Sequence, residues 1–338
     1  MKLGLQLGYW HSQPPPDAYV GLTQTAEQLG FDSVWTAESW GNDVFTPLAW
    51  LGAHTQRIKL GTAIAQMSAR TPTACAMAAL ALDRLSGGRM ILGLGVSGPQ
   101  VVEGWYGQPF SKPLARTREY VDIVRQVLRR EGPVSNPGPH YPLPYRGPDA
   151  LGLGKALKAN THPLRTDLPI YLGAEGPKNV MQTVAIADGW LPLYYNPYQP
   201  EIYASQLRGA APGFEIAPLV MVNIHDDLQE ALLPIKQTLA FYIGAMGAQE
   251  HNFHKNLMAR MGYEAEANRI QTLFLEGRQQ EAVLAVPDRF ADEITLSGSR
   301  ARIRDRLQVW LASGVTSMLL MGPGMQASTL QTMAELVL

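Results

Sequence analysis

Eight short, almost wholly apolar runs alternate with longer amphipathic stretches along this chain, and that rhythm limits the fold more than any other feature of the sequence. The runs are Leu3 to Gly8, Ser33 to Thr36, Ile58 to Ala65, Met90 to Gly95, Ile170 to Leu172, Trp190 to Leu193, Leu219 to Ile224 and Val315 to Leu320. Helical spacing fills Tyr19 to Leu29, Leu48 to Thr55, Thr73 to Leu85, Leu114 to Arg130, Lys178 to Ala187 and Arg300 to Ser313. Strands that lack polar alternation need cover on both faces, which parallel strands with crossover helices provide. Eight such units in 338 residues predict an α/β fold, a (β/α)8 barrel. Its usual ~250 residues leave a surplus for loop insertions. A doubly wound sheet is the alternative, but the glycine fingerprint that fold carries in its first turn is missing.

Two segments break the rhythm: about 131–168, rich in Pro, Gly, His and Tyr, and about 228–290, helical and polar, expected beside the barrel mouth. No repeat or linker separates them from the rest, so residues 1–338 are expected to form one domain. Hydrophobic residues make up 46%, enough for a large core, and only 17% are charged, so much of the surface is neutral. With 28 basic and 29 acidic residues the formal net charge is −1, which argues against nucleic acid or an anionic membrane as partner. The single cysteine, Cys75, rules out an internal disulfide and any cysteine cluster for a metal. No apolar run reaches the ~18 residues of a membrane span. The chain opens on strand-like Lys2 to Leu7 without a signal segment, and a cytoplasmic location is the expectation.

In a (β/α)8 barrel the loops after each strand hold the site. Tyr9, Trp10 and His11 follow the first run, and Glu38, Ser39 and Trp40 follow the second. Glu38 is the first catalytic candidate, able to bond a ring N–H or move a proton if burial tunes it. After the fourth run, Gly93-Leu94-Gly95-Val96-Ser97-Gly98-Pro99-Gln100 offers bare backbone for close ligand approach. The fifth gives a stronger signal, because Tyr171 to Gly173 leads through Ala174-Glu175-Gly176 into a helix opening on Pro177 and Lys178. Its free N–H groups form an anion seat, although Glu175 would repel an anion unless it points away. Glu250-His251-Asn252-Phe253-His254 superficially resembles a metal pair, but the histidines stand at i and i+3, so no metal is expected and they read as helix-surface residues. Proline at position 99 breaks any Gly-x-Ser-x-Gly elbow around Ser97. Met67, Met77 and Met90 read as core filling.

Together these stretches resemble the bacterial luciferase-like superfamily of flavin and deazaflavin enzymes, most closely its coenzyme F420-dependent oxidoreductases and an actinobacterial group among them. The likeness is carried in order by Leu3 to Trp10, Thr36 to Gly41, Ser68 to Ala78, Leu92 to Trp105 and Leu172 to Val180. It implies a barrel with the cofactor ring in its mouth. It also implies a cis peptide between Ala63 and Ile64 behind that ring, and contacts from Gln66, Ser97, Gly98 and Gln100. The phosphate loop would comprise Gly173, Ala174, Glu175, Gly176 and Pro177. One departure matters: the F420-dependent glucose-6-phosphate dehydrogenases have Asp-His where this chain has Glu38-Ser39, and a glutamate where it has Pro99. That sugar-phosphate mechanism is therefore not carried over. Tyr9, Trp10, Trp40, Trp105 and Tyr106 suit a neutral or hydrophobic substrate instead, such as a carbonyl, enone or imine. FMN-dependent monooxygenation and non-catalytic F420 binding are the alternatives, and a homodimer or larger assembly is expected from the resemblance.

Overall fold

The computed structural model describes residues 1–9, 16–246 and 252–338. Its strands are β1 (Lys2–Gln6), β2 (Ser33–Thr36), β3 (Lys59–Thr62), β4 (Ala65–Gln66), β5 (Met90–Gly95), β6 (Ile170–Gly173), β7 (Gly189–Leu191), β8 (Glu215–Ile216), β9 (Leu219–Ile224), β10 (Leu296–Gly298) and β11 (Ser317–Met321). Every ladder between them is parallel. Neighbours run β11-β1-β2-β3-β5-β6-β7-β8. The continuous stretch from β8 into β9 closes the ring, since Ala217 N and Leu219 N donate to Trp190 O and Pro192 O on one side, and Thr316 N and Leu319 N donate to Ile216 O and Pro218 O on the other. The chain folds as the expected (β/α)8 barrel.

Side-chain alternation explains why the strands read as uniformly apolar. On β5, Met90, Leu92 and Leu94 point outward into the helical shell, while Ile91 points inward with Leu319, Leu191 and Ala63. Trp35 and Tyr171 stack in that interior, ring centroids 5.9 Å apart. Glycine makes the room: a Cβ on Gly61 would stand 2.2 Å from the Trp35 ring, and one on Gly189 2.8 Å from Tyr171. Two large rings bordered by glycines thus fill the interior as a packed core.

The described helices are α1 (Pro16–Gln28), α2 (Phe45–Ala53), α3 (Pro72–Leu85), α4 (Pro99–Gly104), α5 (Pro113–Arg129), α6 (Pro177–Ile186), α7 (Glu201–Ala204), α8 (Leu228–Ala245), α9 (Phe253–Met258), α10 (Glu264–Leu275), α11 (Gln279–Ala285), α12 (Asp288–Glu293), α13 (Arg300–Ala312) and α14 (Ala327–Val337). A π turn over Ala259–Tyr263 joins α9 to α10. Side chains start several of these helices: Thr71 caps α3, Asp227 caps α8 and Ser299 caps α13.

Three local expectations change. The run from Ile58 to Ala65 divides into β3 and β4 at the Ala63–Ile64 peptide, which is cis. Leu296–Gly298 pairs with β9 as an additional strand that its three residues did not announce. Met77 is not core filling but 64% exposed, because it falls on the outer face of α3 while Cys75, Ala76 and Ala79 take the inner one. The stretch 131–168 is largely irregular and is organised by Glu119, whose Oε2 accepts N–H groups from Asn136, His140 and Tyr141, each at 3.0 Å.

Candidate active site

At the carboxyl ends of the strands, neighbours on three sides fix the cis peptide. Gln6 Nε2 donates to Ala63 O at 3.1 Å, and Ala63 N donates to Thr36 O at 2.7 Å. Thr62 Oγ1 both donates to Gly93 O and accepts from Gly93 N, at 2.7 and 2.8 Å. Beyond it the Ile64 side chain lies across the ends of β5 and β6. A Cβ on Gly95 would come within 2.8 Å of Ile64 Cδ1, and one on Gly173 within 3.1 Å of Ile64 Cγ2. The glycines of both loops therefore create a part-exposed apolar ledge at the mouth.

Glu38 is 4% exposed and held from two directions. Arg70 reaches it with both arms, Nη2 to Oε1 at 2.5 Å and Nη1 to Oε2 at 3.0 Å, and Gln66 N donates to Oε2 at 2.8 Å. The carboxylate thus ties the β2 loop to the segment just past the cis peptide, and to the arginine that precedes α3. Arg70 also meets Asp43 Oδ1 at 2.9 Å and lies over the Phe45 ring, 5.1 Å from its centroid. Burial pushes the Asp43 carboxyl up, but the Thr46 hydroxyl and N–H together with Arg70 outweigh it and leave it below the usual range.

The aromatic candidates divide. Tyr106 donates its hydroxyl to Ser39 O at 2.7 Å. Burial, and then the nearby Glu38 charge, push its phenol up to about 12. Tyr9 faces the hydroxyls of Ser39 and Tyr242 and is likewise raised by burial. Both phenols therefore converge on Ser39. Trp40 and Trp105 stand on the rim, 45% and 65% exposed, rather than lining an enclosed pocket, and Trp10 lies outside the described residues.

The two glycine turns are built differently. Ser97 adopts the left-handed region, φ 58°, before Gly98 starts the six-residue α4, on which Gln100 is exposed. The β6 turn is the firmer one: Trp190 Nε1 donates to Ala174 O at 2.7 Å, and Gly176 enters α6 in extended conformation with no side chain capping the helix. Uncapped N–H groups at a helix start leave donors for an anion. Glu175, the apparent obstacle, turns toward the 228–290 segment. Its Oε1 lies 2.9 Å from His254 Nδ1, and Arg260 Nη2 donates to its backbone O at 2.7 Å.

Sequence reasoning set the 228–290 segment beside the mouth but did not single out its Tyr242 or Arg260 or give His254 a place there, and it singled out neither Arg70 nor Tyr194. The helix-surface reading of His254 is corrected: its side chain is only 15% exposed and packs edge-on against Tyr242 and Tyr194, because α9 lies against the mouth. Glu250 and His251 lie outside the described residues. A carboxylate inside an anion loop was the one signal that a cation had to be nearby.

A cavity of about 280 Å³ sits at the opposite end of the barrel, where the strands begin. Of its charged lining residues, Lys2 pairs with Glu215, Lys59 with Asp32 at 2.8 Å, Arg165 with Asp83 at 2.8 Å and Asp188 with Arg125 at 2.6 Å, while Arg89 donates to the Thr55 hydroxyl and to the backbone oxygens of Gly52, Thr55 and Ile58. Charges satisfied in this way at the face where the strands begin read as stabilising features.

Known proteins bear on this geometry. Over 327 residues, 94% of each chain, the sequence is 56% identical to a Mycobacterium tuberculosis protein whose name places it among the coenzyme F420-dependent oxidoreductases. The fold superposes on the coenzyme F420-dependent tetrahydromethanopterin reductase of Methanopyrus kandleri with a TM-score of 0.80, at 22% identity over 99% of this chain and 98% of that one. An F420-dependent secondary alcohol dehydrogenase solved with an F420-acetone adduct gives a TM-score of 0.74 at 17% identity, covering 99% and 98%. Residues 3–317 match the profile described as luciferase-like monooxygenase, and the chain belongs to that family.

Proposed function

We propose that this protein is an F420-dependent oxidoreductase that moves a hydride between the deazaflavin and a neutral or hydrophobic small molecule bearing a carbonyl, enone or imine. The observation that carries the reading is the Ile64 ledge between two glycine turns, in a chain 56% identical over 94% of its length to a protein named for F420. The residues fit such a cofactor: Gly95 and Gly173 clear the space that Ile64 occupies, and the uncapped start of α6 is open to an anion. When bound, the deazaflavin supplies a two-electron donor or acceptor at one ring carbon.

The chain's own groups have separable tasks in this reading. Ala63, Ile64 and Gln66 would back the ring; Ser97, Gly98 and Gln100 would flank it; and the backbone of Gly173, Ala174, Glu175, Gly176 and Pro177 would take the phosphate, with the Glu175 carboxylate turned away to His254. Glu38 is a positioning group, because both of its oxygens are engaged by Arg70 and Gln66 N, and it holds the ledge in place rather than relaying a proton. Tyr9 and Tyr106 border the substrate, with Trp40 and Trp105 at the rim and Trp10 completing the set. A homodimer accords with exposed Trp50 on α2 and Met77 and Leu85 on α3. No described helix is long and apolar enough to cross a membrane.

The test is an anaerobic screen of reduced F420 against ketones, enones, imines and sugar phosphates, with a parallel assay of oxygen consumption in the presence of reduced FMN. Oxidation of reduced F420 by an uncharged carbonyl or imine supports the reading. Preference for sugar phosphates sinks the substrate assignment, and FMN-dependent oxygen uptake moves the protein to the monooxygenases.

A further inference from the structure

The site contains a second titratable cluster that the ledge does not use. Glu175 and His254 face each other at 2.9 Å, off the line of a formed hydrogen bond, and their side chains are 14% and 15% exposed. Glu175 Oε2 and the Tyr194 hydroxyl have no hydrogen-bond partner among the described residues, although Tyr194 is only 4% exposed. The Tyr194 and Tyr242 rings stand edge-on to the imidazole, centroids 5.8 and 5.1 Å away. Tyr242 in turn meets Tyr9, and Tyr9 meets Ser39 beside Glu38. Among the described residues, Arg260 is a further charged group against the pair, bound to Glu175 O. Buried polar atoms left without partners are costly unless a function retains them.

We infer that His254, oriented by Glu175, is the acid that accompanies hydride transfer with a proton. The inference rests on the proposed hydride chemistry and deepens it. In the reducing direction the electron pair and hydrogen arrive at the carbon of a C=O or C=N bond and the π bond breaks. The oxygen or nitrogen then takes one proton from the imidazolium, leaving neutral imidazole beside the Glu175 carboxylate. The substrate gains two electrons, the deazaflavin loses two, and solvent returns the proton. Glu38 cannot serve here, since Arg70 and Gln66 N occupy both of its oxygens.

The experiment uses the full chain with F420, His254→Asn and Glu175→Gln, and a carbonyl or imine that the wild type reduces. Three quantities are read: the pH profile of kcat, the Kd for F420 by fluorescence, and the His254 imidazole resonance of the cofactor-free protein by NMR. His254→Asn is expected to lower kcat about 10²–10⁴-fold, the range of general acid catalysis, and to remove one limb of the pH profile while the Kd stays unchanged. Glu175→Gln is expected to move the His254 resonance and lower kcat less. An unchanged kcat and profile in His254→Asn overturns the inference alone, as does a His254 resonance indifferent to Glu175→Gln, a result that stands even if His254→Asn fails to fold. Wild type that binds no F420 overturns the functional reading and this inference with it.

Discussion

Arg70 grips Glu38 with both nitrogens of its guanidinium fork, at 2.5 and 3.0 Å, across 32 positions of sequence. Planar two-point pairing of this kind is specific to arginine. Arg70→Lys keeps the charge and loses the fork. It should lower stability by about 1.5–3 kcal/mol, the worth of hydrogen bonds to charged groups. Thermal unfolding with and without F420 checks this, and an unchanged Tm would show that the pair does not hold the ledge.

Gly95 and Gly173 should be intolerant of even one methyl group. Gly95→Ala, whose Cβ would stand 2.8 Å from Ile64, should cost about 1–3 kcal/mol and weaken F420 binding by displacing the ledge. Gly173→Ala, at 3.1 Å, should do the same more mildly. Gly93→Ala should be worst, because its Cβ would stand 1.8 Å from the backbone oxygen of Thr62, which cannot swing away. Soluble yield and F420 titration of the three variants test that order.

Glu27 receives the N–H groups of Gln56, Arg57 and Ile58, at 2.9, 2.6 and 2.9 Å. Burial pushes its carboxyl up, but these three donors outweigh it and the group sits below its ordinary 4.5. A depressed folded value means the contribution is complete above the unfolded value and is lost as pH falls through the folded one. The Tm gap between wild type and Glu27→Gln should therefore be steady near neutrality and shrink in acid. A gap that widens in acid would contradict the assignment.

Cys75 has no exposed surface, and burial pushes its thiol up to about 11. Native protein at pH 8 should resist alkylation, while denaturant should release one reactive thiol per chain. Rapid labelling of the native state would show that α3 opens.

The barrel was legible because its strands are covered on both faces. Met90 to Gly95 reads as an apolar run whichever way its side chains point, and eight such runs leave few folds. The turn from Gly173 to Pro177 was legible for a local reason, since glycine followed by proline at a helix start is a property of adjacent residues. Partners distant in sequence were not. Arg70 lies 32 positions from Glu38, and His254 lies in a six-residue helix too short for its period to show which face turns inward. Strand Leu296–Gly298 is three residues long and carries no alternation to detect. The depth of the aromatic candidates was not legible, because Trp40 and Trp105 sit in turns whose direction periodicity does not set.

The central claim is that the mouth of this barrel holds a deazaflavin. Its most direct test is equilibrium binding of the purified protein to F420 and, separately, to FMN, by fluorescence at matched concentrations. The account predicts saturable F420 binding at micromolar concentration or tighter, weakened by Gly95→Ala, with no comparable binding of FMN. Preference for FMN, or F420 binding indifferent to Gly95→Ala, would contradict it.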